Sequence, residues 1–342
     1  MQAVYYEAPR TFTVRDVPDP VPGDDEVLVR VSYSGVCHTD VNLDEGEFFA
    51  SFPLVPGHEF TGRVAALGRG VEGLAVGDLV VCDNTFTCGA CSFCRRGEPL
   101  FCEHFYSLGI NGPGGAAEYV VVRGSKVFRV ENRLTPLQAV FTEPLACAVS
   151  GADRARVRSG DRVLFYGAGA SALLLGQLLR QGGAALMVVA APPSPKLELA
   201  QRVYADVTVP MERDRPQAAD RRLEDIAPHG FELVVDLTGS AAVQTHALSR
   251  VRPGGTLMIY GMARFGERVG WEPYTIFKNQ LTVVGSFAQI FQFPRAIELL
   301  ASGRVKVDQA VTDVLELAEY GRALDNVRNG RGIKTLLAVH PE

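Results

Sequence analysis

Four cysteines lie close together in the segment TCGACSFCRRGEPLFC, where their spacing is C-x2-C-x2-C-x7-C. They are Cys88, Cys91, Cys94 and Cys102. Four thiolates complete the tetrahedral shell of a zinc ion and leave no coordination position open. In a chain without a signal peptide, clustered C-x2-C repeats are metal ligands more often than disulfides. The spacing therefore predicts a structural zinc site that holds a loop in shape.

A second set of metal-ligand residue types lies upstream, in the segments GVCHTD and PGHEF. Cys37 is expected where a strand passes into a loop, and His58 and Glu59 follow in the second segment. A zinc ion with mixed S, N and O ligands and one exchangeable position acts as a Lewis acid and acidifies a hydroxyl group. A further ligand must come from elsewhere. Glu143 in FTEPLACA is the leading candidate, and Cys147, one helical turn later, competes with it.

A glycine turn follows the apolar run RVLFY and precedes a helical pattern, which is the context of a dinucleotide fingerprint. Gly167 permits the tight turn, and Gly169 allows the backbone to approach a pyrophosphate. Ala170 opens the helix, whose N-terminal N–H groups attract an anion. Ala172 takes the third fingerprint position and adds one methyl group to the helix-to-strand packing. These residues predict that a dinucleotide cofactor binds at this turn.

The end of the next strand distinguishes NAD from NADP, because a carboxylate there binds the ribose hydroxyls and repels a 2′-phosphate. Ala191 stands where that acid is expected, roughly 20 residues or slightly more after the first glycine. We therefore expect NADP to be accepted and preferred over NAD, with Ser194, Lys196 or Arg202 near the phosphate. The alternative is a relaxed site that favours neither cofactor.

The elements that must position these residues divide into two patterns. The first 120 residues contain short alternating or β-branched runs between turns, which predicts an all-β, barrel-like region. From Asp161 to about Val284, apolar strands alternate with amphipathic helices, which is typical of a doubly wound parallel sheet. A helix starting near Thr135-Pro136 connects the two, and two helices and the strand KTLLAV follow Gly285. We predict an α/β protein with a catalytic domain of residues 1–150 and 285–342 and a nucleotide-binding domain of residues 151–284.

Composition excludes several function classes. The chain has 342 residues, 47 % of them hydrophobic, which is enough for about two domains with buried cores. A net charge of −5 with scattered basic residues predicts no nucleic-acid partner. No apolar stretch approaches the roughly 18 to 20 residues that cross a bilayer, and the N-terminus does not read as a signal peptide. We expect a cytoplasmic protein with no membrane partner.

These motifs together resemble the zinc-dependent medium-chain dehydrogenase/reductase family along nearly the whole chain. The segment FTEPLACA is more similar to its polyol branch, the sorbitol and arabinitol dehydrogenases, than to simple alcohol dehydrogenases. The resemblance implies a GroES-like first domain, a Rossmann second domain and two zinc ions per chain. It also implies a homodimer or homotetramer, and a hydride transfer between a polyol and NAD(P) that yields the ketose.

The resemblance also implies roles for individual residues. Cys37, His58 and Glu143 surround the catalytic zinc, and Glu59 is a direct ligand or lies just outside the shell. Thr39 and Asp40 are further catalytic residues: the Thr39 hydroxyl passes the substrate proton toward solvent, and Asp40 orients the ligand histidine. One departure from the family pattern lies in the segment VYAD, where Tyr204 replaces the glycine that usually closes the helix.

The resemblance places Phe48, Phe49, Phe287 and Gln289 in loops that approach the substrate, and Gln289 offers the hydrogen bonds there. Ordinary packing is an equal alternative for the three phenylalanines. At the level of the whole protein, a simple secondary alcohol or an amino alcohol of the threonine type is the alternative substrate. The alternative that is not an enzyme is a binding protein in which the four-cysteine loop is a zinc-ribbon interaction module. Zinc ribbons that bind nucleic acid carry concentrated basic charge, and Arg95-Arg96 alone is weak support for one.

Overall fold

The structure is a computed structural model that describes residues 1–130 and 132–341. Its strands are β1 (Gln2–Ala8), β2 (Thr11–Asp16), β3 (Glu26–Val36), β4 (Glu59–Leu67), β5 (Leu79–Cys82), β6 (Thr85–Phe86), β7 (Tyr106–Ser107), β8 (Tyr119–Arg123), β9 (Val127–Arg129), β10 (Arg162–Tyr166), β11 (Leu186–Ala191), β12 (Val207–Pro210), β13 (Phe231–Asp236), β14 (Val251–Ile259), β15 (Thr282–Gly285), β16 (Val311–Glu316) and β17 (Lys334–Ala338). Its α-helices are α1 (His38–Asp44), α2 (Ser92–Arg95), α3 (Pro136–Ala139), α4 (Thr142–Ala155), α5 (Ala170–Gln181), α6 (Pro195–Val203), α7 (Asp220–Ile226), α8 (Ala241–Ala247), α9 (Pro273–Asn279), α10 (Phe293–Ala301) and α11 (Tyr320–Arg328).

The chain forms two compact units. The first consists of Met1–Ala146 and Gln289–Glu342, and the second of Cys147–Ala288. The first boundary falls inside α4, so this helix belongs in part to each unit. The predicted helix start near Thr135 is confirmed, because the Gln138 N–H donates to Oγ1 of Thr135 at 3.3 Å in a capping box.

The first unit is organised around a seven-stranded sheet. Its strand order is β16-β17-β3-β4-β5-β9, and β8 also pairs with β3. The long strand β3 therefore lies at the centre, and its valines at positions 27, 29 and 31 are fully buried in a core cluster. The last strand of the chain, β17, pairs antiparallel with β3, with Thr335 opposite Val36. The C-terminal segment thus pairs with the central strand, and Cys37 directly follows the end of that strand.

The prediction that the first 120 residues contain only strands is wrong at α1 and α2. Both helices are too short for a hydrophobic period to be visible in the sequence. Helix α1 is stabilised instead by its cap and by burial of Val41 and Leu43 in a core cluster. The cap at Cys37 therefore determines that this segment is helical.

The second unit contains a six-stranded sheet in the order β12-β11-β10-β13-β14-β15, and all its pairings are parallel. The core on its strands includes Leu164, Val188, Val234 and Leu257, all fully buried. Continuous apolar strands covered by helices are expected for such a sheet. The strand order reverses at β10 and β13, the position at which α/β sheets bind ligands. The predicted doubly wound sheet is confirmed.

The departure from the family pattern at Tyr204 has a structural explanation. Helix α6 ends at Val203, and Tyr204 has φ −146°, so no left-handed residue is needed to close the helix. The Tyr204 ring is buried, tilts against the Phe165 ring at 6.0 Å between centroids and covers Gly176. A side chain at Gly176 would collide with this ring. A bulky residue in the loop and a glycine in α5 therefore compensate for each other.

Candidate active site

The four-cysteine segment folds into a loop in which the sulfurs converge. The ligand atoms of Cys88, Cys91, Cys94 and Cys102 all lie within 4.8 Å of one another. Backbone N–H groups point at the sulfurs: that of Cys91 donates to Sγ of Cys88 at 3.2 Å, and that of Cys88 to Sγ of Cys102 at 3.3 Å. Backbone donors also lower the pKa of the Cys91 thiol to about 6. Burial and the neighbouring cysteines raise the pKa of the Cys94 thiol to about 12, so the cluster does not favour the thiolate at every position. Four converging sulfurs that no disulfide joins fit a zinc ion.

A second cluster is formed by Cys37, His58 and Glu59, whose ligand atoms also lie within 4.8 Å of one another. Cys37 does not begin a loop, as we expected, but caps α1. Its Sγ accepts the Thr39 N–H at 3.3 Å, and Oδ2 of Asp40 accepts the Cys37 N–H at 2.8 Å. Both bonds fix the sulfur at the helix start, because they satisfy N–H groups that a helix leaves unpaired.

His58 and Glu59 reach the same place from the neighbouring strand. Glu59 is the first residue of β4 and lies opposite Gly35 of β3. The side chains of His58 and Glu59 are both buried. Nδ1 of His58 lies 3.7 Å from Oδ1 of Asp40, and neither atom has a hydrogen-bond partner within the described residues. Burial lowers the pKa of His58, but the charges of Asp40 and Cys37 outweigh it and hold this pKa well above its ordinary value. A buried imidazole among anions fits a bound cation.

Lys334 is a residue of this cluster that sequence reasoning missed. Its ammonium group forms an ion pair with Oε2 of Glu59, and both side chains are buried. In the sequence, Lys334 is the one charged residue of the segment KTLLAV. Lysine is almost never fully buried without a partner, so a lysine at the start of this strand could have indicated a buried ion pair. Burial opposes the charged form of Lys334, but Glu59 and Cys37 raise its pKa above the ordinary value.

Glu143 is not a member of the Cys37 cluster. It is buried in the first turn of α4, and Cys147, the competing ligand, is half-buried one turn further along. The two residues fall on opposite sides of the boundary between the units. The group of ligand atoms that lie within 4.8 Å of one another consists of Cys37, His58 and Glu59, so Glu59 supplies its carboxylate.

The glycine turn joins β10 to α5 as its sequence predicts. Gly167 has φ 111°, which favours glycine, and Gly169 is the N-cap of α5, which begins at Ala170. A Cβ atom on Gly169 would meet no atom within 4 Å, so this face of the turn is open to a ligand. Ala172 is completely buried against the sheet. The turn offers the N-terminus of a twelve-residue helix at the reversal of strand order.

The end of β11 carries no acidic side chain. Ala191 is its last residue and is buried, while Ser194 is the N-cap of α6 and donates its hydroxyl to the Pro192 carbonyl at 3.1 Å. Lys196 follows in the first turn of α6. Burial and the charge of Arg213 lower the pKa of Lys196. The sequence did not suggest Arg213, which lies three residues after the end of β12. Between them, the Met211 N–H donates to the Ala191 carbonyl at 3.0 Å, which ties this segment to the end of β11.

The predicted substrate residues have different surroundings. The Phe49 ring lies tilted against the Phe48 ring, with 4.3 Å between the ring centroids, and meets Phe105 edge-on at 6.0 Å. Both Phe48 and Phe49 pack on a core cluster. Phe287, in the other unit, is 42 % exposed. Gln289 is completely buried, and its amide donates to Oδ1 of Asp83 at 2.8 Å. The prediction that Gln289 offers hydrogen bonds to a substrate is wrong, because the protein itself uses them.

Two family models match the chain. Residues 23–132 match the alcohol dehydrogenase GroES-like domain, and residues 172–302 match the zinc-binding dehydrogenase model. The chain is 44 % identical over 343 residues to D-arabinitol dehydrogenase 1 of Uromyces fabae, covering 100 % of this chain and 97 % of that protein. It is 29 % identical over 329 residues to the sorbitol dehydrogenase of Halalkalibacterium halodurans, covering 95 % of each.

A similar solved structure is a zinc-binding dehydrogenase of Sinorhizobium meliloti 1021 bound to NADP. It is 33 % identical, the superposition covers 99 % of each chain, and the TM-score is 0.93. A GroES-like unit with a metal-ligand cluster, combined with a parallel nucleotide-binding sheet, defines the class of zinc-binding dehydrogenases. The chain belongs to the zinc-dependent medium-chain dehydrogenase/reductase family, in its polyol branch. No helix in the described part of the chain is long and apolar enough to span a membrane.

Proposed function

We propose that this protein oxidises a secondary alcohol of a sugar alcohol to the ketose, and reduces the ketose in reverse, with zinc and NAD(P) as cofactors. The proposal is carried by the buried cluster of Cys37, His58 and Glu59, with Asp40 behind the imidazole. Its support is the whole-length identity of 44 % to a D-arabinitol dehydrogenase. The substrate class is therefore a polyol rather than a simple alcohol.

Two zinc ions per chain would have different roles. The four thiolates of the cysteine loop would form a closed structural shell. Cys37 and His58, with a carboxylate from Glu59 or Glu143, would hold the second ion and leave one position exchangeable. When bound there, zinc acts as a Lewis acid that lowers the pKa of a hydroxyl group.

The protein's own residues orient the ligands and carry the proton. Asp40, whose Oδ1 lies 3.7 Å from Nδ1 of His58, would fix the orientation of the imidazole. The Thr39 N–H donates to Sγ of Cys37 at 3.3 Å, and the Thr39 hydroxyl would pass the substrate's proton toward solvent. A bound nicotinamide cofactor would supply the acceptor for the hydride that leaves the carbinol carbon as the alcohol is oxidised to the ketone. The Phe49 and Phe287 rings are the proposed contacts with the carbon chain of the substrate.

The nicotinamide cofactor would bind with its pyrophosphate at Gly167, Gly169 and Ala170, on the N-terminus of α5. We infer a preference for NADP from the end of β11. Ala191 provides no carboxylate that would repel a 2′-phosphate, while Lys196 and Arg213 are two cations close enough to repel each other. An anionic phosphate near Ser194 and Lys196 would relieve that repulsion.

A panel of alditols and ketoses assayed with NAD and NADP tests the proposed function. We expect turnover of at least one five- or six-carbon alditol, with kcat/KM at least about tenfold higher than for simple secondary alcohols such as 2-propanol. The same panel compares the cofactors. A tenfold or greater preference for NAD would reject the inference about NADP, and activity with threonine or simple alcohols alone would reject the polyol substrate.

A homo-oligomeric state is also proposed. Strand β15 is the edge of the six-stranded sheet, and a free edge can pair with the same edge of a second copy. Exposed apolar side chains accompany it: Phe277 on α9 is 79 % exposed and Val283 on β15 is 39 % exposed. An exposed apolar surface along a sheet edge is typical of a subunit interface. The cytoplasmic location stays a prediction from the sequence.

A further inference from the structure

Asp236 is a completely buried carboxylate at the end of β13. Its Oδ1 accepts the Thr238 N–H at 2.8 Å and the Thr238 hydroxyl at 2.6 Å. Its Oδ2 accepts the Gly239 N–H at 3.2 Å and the side-chain amide of Gln244, on α8, at 2.9 Å. Four neutral donors therefore surround one buried negative charge, and each carboxylate oxygen accepts two hydrogen bonds.

These bonds shape residues 237–239, here called the Thr238 turn, which connect β13 to α8. The Thr238 hydroxyl donates to Asp236 and accepts the Ser240 N–H at 3.1 Å, so its orientation is fixed from both sides. Gly239 has φ 66°, a conformation that glycine adopts readily. The shape of the turn therefore depends on the Asp236 carboxylate.

The Thr238 turn lies directly against the glycine turn that follows β10. The Leu237 N–H donates to the Tyr166 carbonyl at 2.9 Å, just before Gly167. A Cβ atom on Gly167 would lie 3.4 Å from Cβ of Leu237 and 3.4 Å from Cγ2 of Thr238. Strands β10 and β13 are neighbours where the strand order reverses, and ligands of such sheets bind outside the carboxyl ends of these strands. The glycine turn and the Thr238 turn are therefore two adjacent walls of one crevice.

The charge of Asp236 by itself is unfavourable at this end of the sheet. The glycine turn is the proposed site of the cofactor's pyrophosphate, and a carboxylate repels an anion. Its advantage must lie in its capacity to accept hydrogen bonds, because an amide of the same size has one oxygen acceptor and an NH2 group. An asparagine side chain here would turn its NH2 group toward donors, either those of Thr238 or those of Gly239 and Gln244. A carboxylate satisfies all four donors, and an amide cannot.

We propose that Asp236 is a positioning residue for the nicotinamide cofactor, because it fixes the Thr238 turn as a preformed wall of the cofactor crevice. This inference rests on the proposed function, since it requires a dinucleotide at Gly167 and Gly169. A wall that is already ordered costs the cofactor no ordering free energy on binding. Without the carboxylate, the cofactor itself has to order the turn, and its affinity falls.

Titration with NADPH and NADH in the absence of substrate, followed by the fluorescence of the reduced nicotinamide, tests the proposal without turnover. In D236N, the dissociation constant of the tighter-binding cofactor should rise about tenfold or more. The matched control is E232Q, near the other end of β13, where Glu232 bonds to Arg162. This control should lose stability but keep the dissociation constant within about threefold of wild type.

The direction of the change in D236N separates positioning from a purely electrostatic role. If the Asp236 charge acted on the cofactor only by repulsion, its removal would make the cofactor bind more tightly. Tighter binding, or a dissociation constant equal to that of E232Q, would overturn the proposal.

The pair T238V and T238S keeps the proposal testable if D236N does not fold. T238V keeps the shape of the side chain but removes the hydroxyl that donates to Asp236, so the dissociation constant should rise about threefold or more. T238S keeps the hydroxyl and loses the methyl group near Gly167, and it should stay within about twofold of wild type. A loss in T238S as large as that in T238V would mean that the methyl contact matters instead, and the proposal would be wrong. Failure of the proposed function looks different: the wild type would then bind neither NADPH nor NADH.

Discussion

Oδ1 of Asp40 lies 3.7 Å from Nδ1 of His58, and both side chains are almost completely buried. Asp40 also accepts the Cys37 N–H, so one carboxylate contacts the positions of two proposed metal ligands. A buried carboxylate in this place fixes the imidazole orientation and increases its basicity. Asp40 therefore connects the capping of α1 to the geometry of the metal cluster.

Replacing Asp40 by asparagine should weaken the open metal site. D40N keeps the size of the side chain but removes its charge, and we expect a loss of about 10- to 100-fold in kcat or in the affinity for the zinc ion proposed at Cys37 and His58. Chelator titration and steady-state kinetics measure both. D44N is the matched control on the same helix: Asp44 bonds to Tyr6 and Arg328, so its loss should reduce stability and leave zinc affinity unchanged. Equal zinc affinities of D40N and D44N would contradict the role of Asp40.

Replacing Cys94 by serine should affect stability before chemistry. An incomplete thiolate shell binds zinc weakly, and metal binding in such a loop is part of its folding free energy. We expect C94S to lose about one zinc per chain and to melt at a lower temperature, as measured by metal analysis and thermal unfolding. S92A, an exposed neighbour, is the control and should behave as wild type. A C94S protein of normal thermal stability that lacks turnover would speak against a structural role.

Cofactor preference should depend on the end of β11 and on two cations near it. K196A and R213A should each lower kcat/KM for NADP by about 10- to 100-fold, the range of a lost hydrogen bond to a charged group, with little effect on NAD. A191D should move the preference toward NAD. R222A removes an exposed arginine elsewhere in this unit and should change neither value. Equal losses with NAD and NADP in K196A would indicate a general effect on binding rather than recognition of a 2′-phosphate.

Acid should destabilise the second unit through Glu232. Burial alone would raise the pKa of this carboxyl, but hydrogen bonds from Arg162 more than reverse the effect and lower it from 4.5 to about 2. Arg252 also donates to Glu232, at 2.9 Å. Because the folded pKa lies below the unfolded one, the stabilisation is present above about pH 4.5 and is lost as the pH falls toward 2.

The variant E232Q measures this contribution. At pH 6, we expect it to lower the free energy of unfolding by about 1–3 kcal/mol, after allowance for partial solvent screening. The difference from wild type should shrink between pH 5 and 3 in denaturant titrations. The control is E224Q, whose side chain is 60 % exposed and pairs with Arg250, and it should cost less than about 0.5 kcal/mol. A difference that does not depend on pH would contradict the assignment to the Glu232 charge.

The residues that the sequence predicts well are those whose partners lie nearby in the chain. The sulfurs of Cys88 and Cys102 belong to one short loop, so their spacing alone predicts that they converge. Gly167 is identified by its own backbone requirement, and the order of strands and helices follows from local hydrophobic period. Local interactions and the strand period leave few alternatives for such segments.

The sequence therefore determined the fold class, the cysteine loop and the glycine turn, whereas the tertiary structure decided how distant charges are paired. Lys334 meets Glu59 only because β17 and β4 both pair with β3 and Gly35 leaves room between them. Gln289 bonds to Asp83 for a similar reason, since the chain returns to the first unit just before it. No spacing in the sequence encodes these contacts, because their partners lie more than 200 residues apart in the chain and meet only when the whole first unit has folded.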